Sequence, residues 1–257
     1  MIQFQNEQLT VFQSRLYQTT SAVIQTEKAV IVTDPNWLPS EVAVIKAYIE
    51  GFIGTRQLYI IYTHSDFDHI IAAGAFPKAI TIASEAFTNR NDKETVLDEI
   101  RDFDAQYYVT RDYPIVYPDI DIVISESGQQ VMLGDALCSF YLAPGHTADG
   151  IFTVVEQFGI FLAGDYLSDV EFPFMSDYDA YIATLEQAQQ LVERLNILVP
   201  GHGQTTTSRA EIQKRITDSK QYLLQLKAGI DQEQDLAAHY PFYRSLKEMH
   251  EANKKAL

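Results

Sequence analysis

The stretch YTHSDFDHI (residues 62–70) places two histidines and two aspartates within six positions. It continues the apolar run QLYIIYT (57–63), which predicts a buried strand, so the polar residues begin where that strand ends. Imidazole and carboxylate are the side chains that most often bind divalent metals in proteins. Two of these residues, His64 and Asp66, are expected to point one way from the turn, and the other two, Asp68 and His69, the other way. One loop is therefore suited to serve two metal ions.

Four more apolar runs each end in a turn that carries a residue of the same type. AVIVTD ends on Asp34, FYLAPGH on His146, GIFLAGD on Asp165 and NILVPGH on His202. Glycine precedes three of these residues and allows a sharp turn that lets side chains converge. Binding sites of layered sheet proteins lie at strand ends. One such residue is usually structural, but four of the six histidines follow this pattern, which predicts a metal site. His239 and His250 lie in the helical tail and are interpreted as surface or packing residues.

Composition narrows the class of protein and the partners. Apolar residues make up 46% of the 257 residues, enough for a buried core in one large or two small domains. The 35 acidic and 19 basic residues give a formal charge of -16, which disfavours nucleic acid as a partner. The single cysteine, Cys138, is interpreted as a buried apolar residue. No signal peptide or membrane-spanning segment is evident, and we expect a cytoplasmic protein.

Apolar periodicity predicts mixed helices and strands, typical of an α/β or α+β fold with stacked layers. Strands are predicted within 15–26 and 28–34, at 57–63, near 121–125, 130–133, 137–143, 151–156 and 159–164, and at 196–200. Helices are predicted over 40–53, 93–108 and 178–195. After a capping box at Ser208 and Glu211, the rest of the chain is predicted to be helical with a break near Pro241. We therefore expect a main domain over 1–205 and a helical extension over 206–257 packed on it.

The order of these motifs resembles that of the metallo-β-lactamase superfamily, over roughly residues 15–205. The resemblance rests on Asp34, HSDFDH at 64–69, GHT at 145–147, GD at 164–165 and PGHG at 200–203. It implies a four-layer αβ/βα sandwich with a dinuclear metal site at one edge of two facing sheets. Each motif alone is weak, but five in register are specific.

The resemblance also implies a role for each motif residue. His64, Asp66 and His146 would hold the first metal, and Asp68, His69 and His202 the second. Asp165 would bridge both metals, and Asp34 would support the ligands without binding metal. The implied cofactors are two divalent ions, with zinc expected first and iron or manganese as alternatives.

One residue departs from the family pattern. The usual cluster is H-x-H-x-D-H, and Asp66 stands where the second histidine is expected. The extra carboxylate makes the metal core less positive, which weakens it as a Lewis acid and shifts preference towards iron or manganese. The flavodiiron branch of the superfamily similarly has an acidic residue there, although this sequence contains no flavodoxin-like domain. The alternative is that Asp66 simply replaces histidine in a hydrolase.

Three functions remain open. The first is a metal-dependent hydrolase in which a hydroxide held between the metals attacks a small ester, thioester, lactone or phosphoester, with Asp68 orienting the nucleophile and moving its proton. The second is a diiron redox or oxygen-handling protein, and the third a binding or structural protein with a vestigial site. β-Lactam hydrolysis is disfavoured because the enzymes of this superfamily that perform it are secreted and typically have cysteine at the position of Asp165. The helical tail loosely resembles that of glyoxalase II.

Two features next to Asp165 have alternative interpretations. Tyr166 either contacts the substrate or packs in the core. The segment EFPFMSDYD (171–179) either forms a substrate wall through Phe172, Phe174 and Met175 or packs in the core. The expected partner is a small molecule, with no nucleic acid and no membrane, and the sequence does not indicate an oligomeric state.

Overall fold

The computed structural model describes residues 1–35 and 37–257. The strands are β1 (Ile2–Gln5), β2 (Leu9–Gln13), β3 (Thr20–Gln25), β4 (Ala29–Thr33), β5 (Gln57–Ile61), β6 (Ile80–Ser84), β7 (Ile122–Ile124), β8 (Gln129–Leu133), β9 (Ala136–Leu142), β10 (Ile151–Val155), β11 (Ile160–Leu162) and β12 (Ile197–Val199). The α-helices are α1 (Pro39–Glu50), α2 (Phe67–Ile70), α3 (Glu85–Thr88), α4 (Lys93–Tyr107), α5 (Tyr178–Leu191), α6 (Arg209–Lys227), α7 (Glu233–His239) and α8 (Tyr243–Lys255). Short 3₁₀ turns cover Ala73–Ala75 and Val192–Arg194.

The strands form two sheets. The first has seven strands in the order β1-β2-β3-β4-β5-β6-β7, antiparallel as far as β4 and parallel from β4 to β7. The second has five strands in the order β12-β11-β10-β9-β8, with β11 and β12 parallel and the others antiparallel. Parallel pairs β4–β5 and β11–β12 run so that their carboxyl ends meet at one edge. This edge carries the motif residues.

Alternate side chains of each central strand pack on opposite faces, which explains the continuous apolar runs of the sequence. In β4, Ile31 points between the two sheets, while Val30 and Val32 pack against the helices that cover the first sheet. In β11, Leu162 points between the sheets and Phe161 packs against the helices that cover the second. Helices therefore cover both outer faces, and the predicted four-layer sandwich is confirmed.

The C-terminal helices complete the outer layer of the second sheet. Leu223 of α6 is fully buried in the same apolar cluster as Phe152 and Phe161 of the sheet. The chain contains one more break than predicted, between α6 and α7, where Gly229 adopts a left-handed backbone (φ 68°) that favours glycine. The division into 1–205 and 206–257 stays a prediction.

Most predicted elements are present, but the sequence patterns missed several short ones. Strands β1, β2 and β6 and helices α2 and α3 were not predicted. The strands have four or five residues and the helices four. Length alone is not the reason, since β7, β11 and β12 have three residues each and were predicted. None of the helices in the described part of the chain has the length and apolar character needed to cross a lipid bilayer.

Adjacent leucines on α6 test whether the tail is part of the main core. Leu223→Ala should lower the free energy of unfolding by about 2–5 kcal/mol, because the fully buried side chain would leave a cavity. Leu224, 57% exposed, is the matched control, and Leu224→Ala should change it by less than about 0.5 kcal/mol. Denaturant unfolding of both variants measures this. Equal effects would show that α6 is not packed on the sheet in solution.

Candidate metal centre

The seven predicted ligands converge at the common edge of the two sheets. Four of them follow a strand or the turn after it: His64 follows β5, His146 follows β9, Asp165 follows β11 and His202 follows β12. The other three belong to α2, with Asp66 at its N-cap and Asp68 and His69 within the helix. The backbone joins these turns directly, because Ile151 N donates to Thr63 O across the sheets (2.8 Å) and Gly201 N donates to Gly164 O (2.6 Å).

All four imidazoles are oriented in the same way. In each ring Nδ1 is bound to an oxygen that faces away from the centre, which leaves Nε2 pointing inward. The acceptors are Thr63 Oγ1 for His64 (3.1 Å), Asp34 Oδ2 for His69 (3.0 Å), Phe174 O for His146 (2.8 Å) and Tyr17 O for His202 (2.9 Å). A bond of this kind sets the tautomer and ring orientation of metal-binding histidines.

The inward-facing atoms form two groups that share one carboxylate. The first donor group is His64 Nε2, His146 Nε2, Asp66 Oδ2 and Asp165 Oδ2, with nitrogen–oxygen distances of 3.2–3.7 Å. The second donor group is His69 Nε2, His202 Nε2, Asp68 Oδ2 and Asp165 Oδ1, at 3.1–3.4 Å. The two oxygens of Asp165 thus face different groups.

These distances fit metal coordination. In a tetrahedral zinc site with ligands at about 2.0–2.1 Å, neighbouring ligand atoms are separated by roughly 3.3–3.4 Å. Within residues 1–35 and 37–257, three buried atoms of the centre have no hydrogen-bond partner: His64 Nε2, His69 Nε2 and Asp165 Oδ1. Buried polar atoms are normally paired, so the unpaired atoms of the two donor groups fit bound cations. The residues present therefore fit two metal ions.

Charges in the centre favour cations. Burial raises the pKa of Asp165, but His202, His69 and His64 outweigh it and hold the pKa well below its ordinary value. Burial likewise opposes ionisation of Asp66, and its pKa is nevertheless held well below the ordinary value by His146 and His64. Both carboxylates remain ionised at neutral pH and attract positive charge.

His69, His146 and His202 show the opposite shift. Burial lowers the pKa of these three rings, but the surrounding carboxylates raise it by a larger amount. Asp165 and Asp68 bring the pKa of His69 well above its ordinary value, and Asp165 and Glu171 bring that of His202 to about 10. Asp165 and Asp66 do the same to the pKa of His146.

Asp34 lies behind the centre. Its buried carboxylate accepts hydrogen bonds from Thr63 N (2.8 Å), Thr63 Oγ1 (2.5 Å) and His69 Nδ1 (3.0 Å). It holds one ligand directly and the turn that carries another, His64. These contacts match the supporting role that the resemblance implies.

Tyr166 lies beneath the turn that carries His146. Its hydroxyl donates to Pro144 O (2.8 Å) and accepts from His146 N (3.0 Å), and the side chain is buried. Burial also raises the pKa of the phenol. These contacts fit the alternative of a packing tyrosine, and substrate contact by Tyr166 gains no support from them.

The segment that follows is mostly core. Phe172 and Met175 are buried in the cluster that covers the second sheet, with Phe174 half-buried against it, as the packing alternative predicted. Glu171, in the same segment, was not predicted to lie at the centre. Its carboxylate Oε1 lies 4.0 Å from His202 Nδ1, and burial, opposed by His202, raises the pKa of Glu171 to about 7. The proximity of an acidic residue to Asp165 in sequence was its only signal.

The other two histidines do not approach the centre. His250 is buried and its Nδ1 is 3.0 Å from the hydroxyl of Tyr222, while His239 is exposed on α7. Cys138 is buried in β9 and burial raises its pKa to about 12, as expected of an apolar core residue.

A four-layer sandwich with this edge centre defines a metallo-β-lactamase-type fold. The sequence profile of the metallo-beta-lactamase superfamily matches residues 14–215, and the chain belongs to this superfamily. The predicted resemblance is thereby confirmed. A search of curated proteins returned no match.

Solved structures agree on the fold. The archaeal superfamily protein ST1585 from Sulfolobus tokodaii is 20% identical, with a TM-score of 0.61 over 85% of this chain and 87% of that one. The family protein TTHA1429 from Thermus thermophilus is 16% identical, with a TM-score of 0.63 over 86% and 80%. The inverting sec-alkylsulfatase Pisa1 from Pseudomonas sp. is 12% identical, with a TM-score of 0.68 over 91% of this chain. This chain spans only 42% of that sulfatase.

The close approach of two turns gives a test of the centre. A Cβ added to Gly201 would lie 2.2 Å from Asp165 Oδ1. Gly201→Ala should therefore displace the shared carboxylate and weaken metal binding, roughly 10–100-fold as for other losses of ligand support. Gly51→Ala is the control, because Gly51 has an ordinary helical backbone at the end of α1. Chelator competition measures both, and unchanged metal affinity in Gly201→Ala would contradict the geometry.

Proposed function

We propose that the protein is a dinuclear metal-dependent hydrolase that cleaves a small ester, thioester, lactone or phosphoester. The observation that carries this proposal is the arrangement of four histidines whose Nε2 atoms meet in two groups around the two oxygens of Asp165. Membership of the superfamily supports hydrolysis as the general activity, since its members are mostly hydrolytic enzymes.

The two donor groups would each hold one divalent ion, with Asp165 shared between them. Bound metals would supply activation of water and polarisation of the scissile bond. Zinc suits the four imidazoles, whereas the three carboxylates also suit iron or manganese. We propose zinc as the metal.

Asp68 is the proposed catalytic residue of the chain itself. Its Oδ2 lies 3.4 Å from Nε2 of both His69 and His202, and its side chain is 13% exposed, so it lies at the boundary between the centre and solvent. A carboxylate at this position can orient the attacking water, accept its proton and deliver that proton to the leaving group.

Aromatic side chains lie beside the centre and suggest how a substrate is held. Phe67, between two of the proposed ligands, contacts the ring of Trp37, which stacks on Tyr17. Tyr17 is 58% exposed and its carbonyl holds His202. Tyr107 is also more than half exposed. Burial is the main cause that raises the pKa of the Tyr17 phenol, and Tyr107 raises it further. This surface favours an apolar or aromatic substituent.

Charges near the centre favour an uncharged substrate. Glu171 lies beside the second donor group. Burial raises the pKa of Glu99, and the negative charges of Asp66 and Asp68 raise it further. We therefore place neutral esters, thioesters and lactones ahead of phosphoesters. The charge of -16 disfavours nucleic acid, so a small molecule remains the proposed partner.

One observation favours a second function. Asp66 Oδ2 lies within 3.5 Å of His64 and His146 Nε2, so the carboxylate faces the first donor group as a ligand would. This oxygen-rich set favours iron more than a histidine would. The alternative is a diiron redox or oxygen-handling protein supplied with electrons by a separate flavoprotein.

Hydrolysis is tested with neutral aryl esters, thioesters and lactones, alongside a phosphodiester. The zinc-loaded protein should hydrolyse at least one neutral class, and removal of metal by a chelator should abolish the activity. Asp165→Asn should lower kcat/KM by at least about 100-fold because it removes the carboxylate shared by both groups. Asp179→Asn is the control, since that side chain is 90% exposed on α5 and should have no effect. Hydrolysis that survives metal removal and Asp165→Asn would refute the proposal.

A further inference from the structure

Arg90 holds the segment between two ligands of the first donor group. It lies between α3 and α4, and its Nη1 donates to Ser65 Oγ (2.6 Å) and, more weakly, to Ser65 O (3.4 Å). Ser65 is fully buried and stands between His64 and Asp66 in the chain. The guanidinium is thus hydrogen-bonded to the loop between these two ligands.

The other side of the guanidinium is fixed as well. Nε and Nη2 donate to the two carboxylate oxygens of Asp92, at 2.7 and 3.1 Å. A paired fork of this kind fixes the orientation of the group, which lysine cannot reproduce. Because Asp92 anchors Arg90 just before α4, Ser65 is tied to the start of that helix.

Negative charge also acts on Arg90 from both segments that carry the first donor group. Asp149 follows His146 by three residues and is buried, and neither of its carboxylate oxygens has a hydrogen-bond partner among the residues described. A buried carboxylate needs a compensating positive charge. The hydrogen bond to Asp92 is the largest cause that raises the pKa of Arg90. Asp149 and Asp66 raise this pKa further, and burial lowers it. Both carboxylates therefore act electrostatically on the guanidinium.

We propose that Arg90 is a positioning residue for the first metal. It holds Ser65, and so fixes the ligands on either side of it. The inference rests on the proposed metal centre and assigns Arg90 no contact with substrate.

The two possible effects of Arg90 on metal binding have opposite signs. A positive charge near a cation site weakens binding by repulsion, so its removal alone would tighten binding. Loss of the grip on Ser65 would instead loosen the ligands and weaken binding. The proposal requires the second effect to dominate.

The test measures zinc dissociation constants by competition with a chromophoric chelator. His146→Ala and His202→Ala assign the constants to the first and second positions. Arg90→Gln should weaken the first position roughly 10–100-fold, as other supporting contacts do, and leave the second nearly unchanged. Arg90→Lys should remain weakened, because lysine keeps the charge but lacks the fork. Arg101→Gln is the control, since Arg101 also pairs with carboxylates, Glu94 and Asp98, but on the exposed face of α4.

A double-mutant cycle separates this role from a general structural one. In a Ser65→Ala background, Arg90→Gln should weaken the first position by a clearly smaller factor, because the hydroxyl that Arg90 holds is already gone. Equal factors in both backgrounds, wild-type affinity in Arg90→Lys, or tighter binding in Arg90→Gln would each overturn the proposal. Thermal unfolding of the metal-free variants shows whether they are folded. Failure of the wild-type protein to bind metal would instead refute the metal centre.

Discussion

The buried carboxylate of Asp34 is the contact on which the centre depends. Asp34 follows β4, and its carboxylate accepts two hydrogen bonds from Thr63, which follows β5, and a third from His69 on α2. Its own backbone is left-handed (φ 37°), which is uncommon for a residue other than glycine, and Ser21 Oγ donates to its carbonyl. A strained residue held by this many bonds is typical of functional sites. Asp34 therefore holds β3, β4 and β5 in fixed positions relative to one another at the centre.

The second sheet joins the first through backbone contacts at the same edge. Thr20 N donates to Gly201 O (2.7 Å), and Ile151 N donates to Thr63 O (2.8 Å). Gly201 lies so close to Asp165 that no side chain fits between them. The ligands of both sheets are consequently positioned by main-chain geometry, with little freedom left to the side chains. Such preorganisation is what a metal site needs to select its coordination.

The sequence predicted the centre better than its surroundings. The five strand-end motifs specified which residues converge, because parallel strand ends share an edge and each polar residue follows an apolar run. The resemblance supplied the four layers, which periodicity alone could not distinguish from other layered folds. The strands β1 and β6 lead into no such motif and were missed, whereas the shorter strands β11 and β12 were predicted together with theirs.

The residues that support the ligands were harder to find. Arg90 stands in NRND, a charged stretch typical of an exposed loop, and only the folded chain brings it to Ser65. The aromatic residues beside Glu171 were the predicted substrate wall, but they lie mainly in the core, whereas Glu171 itself lies beside His202. Tyr166 stands next to a ligand in sequence, yet its hydroxyl is occupied by the turn of His146. Adjacency along the chain indicates neither the direction of a side chain nor its partners.

Elemental analysis of protein purified without added metal shows whether this edge holds two metal ions. We expect about two ions per chain, since the donor set is larger than one tetrahedral ion requires. Zinc would support the hydrolase, and iron would favour the redox alternative. Negligible metal, with none regained on reconstitution, would show that this edge is not a metal centre.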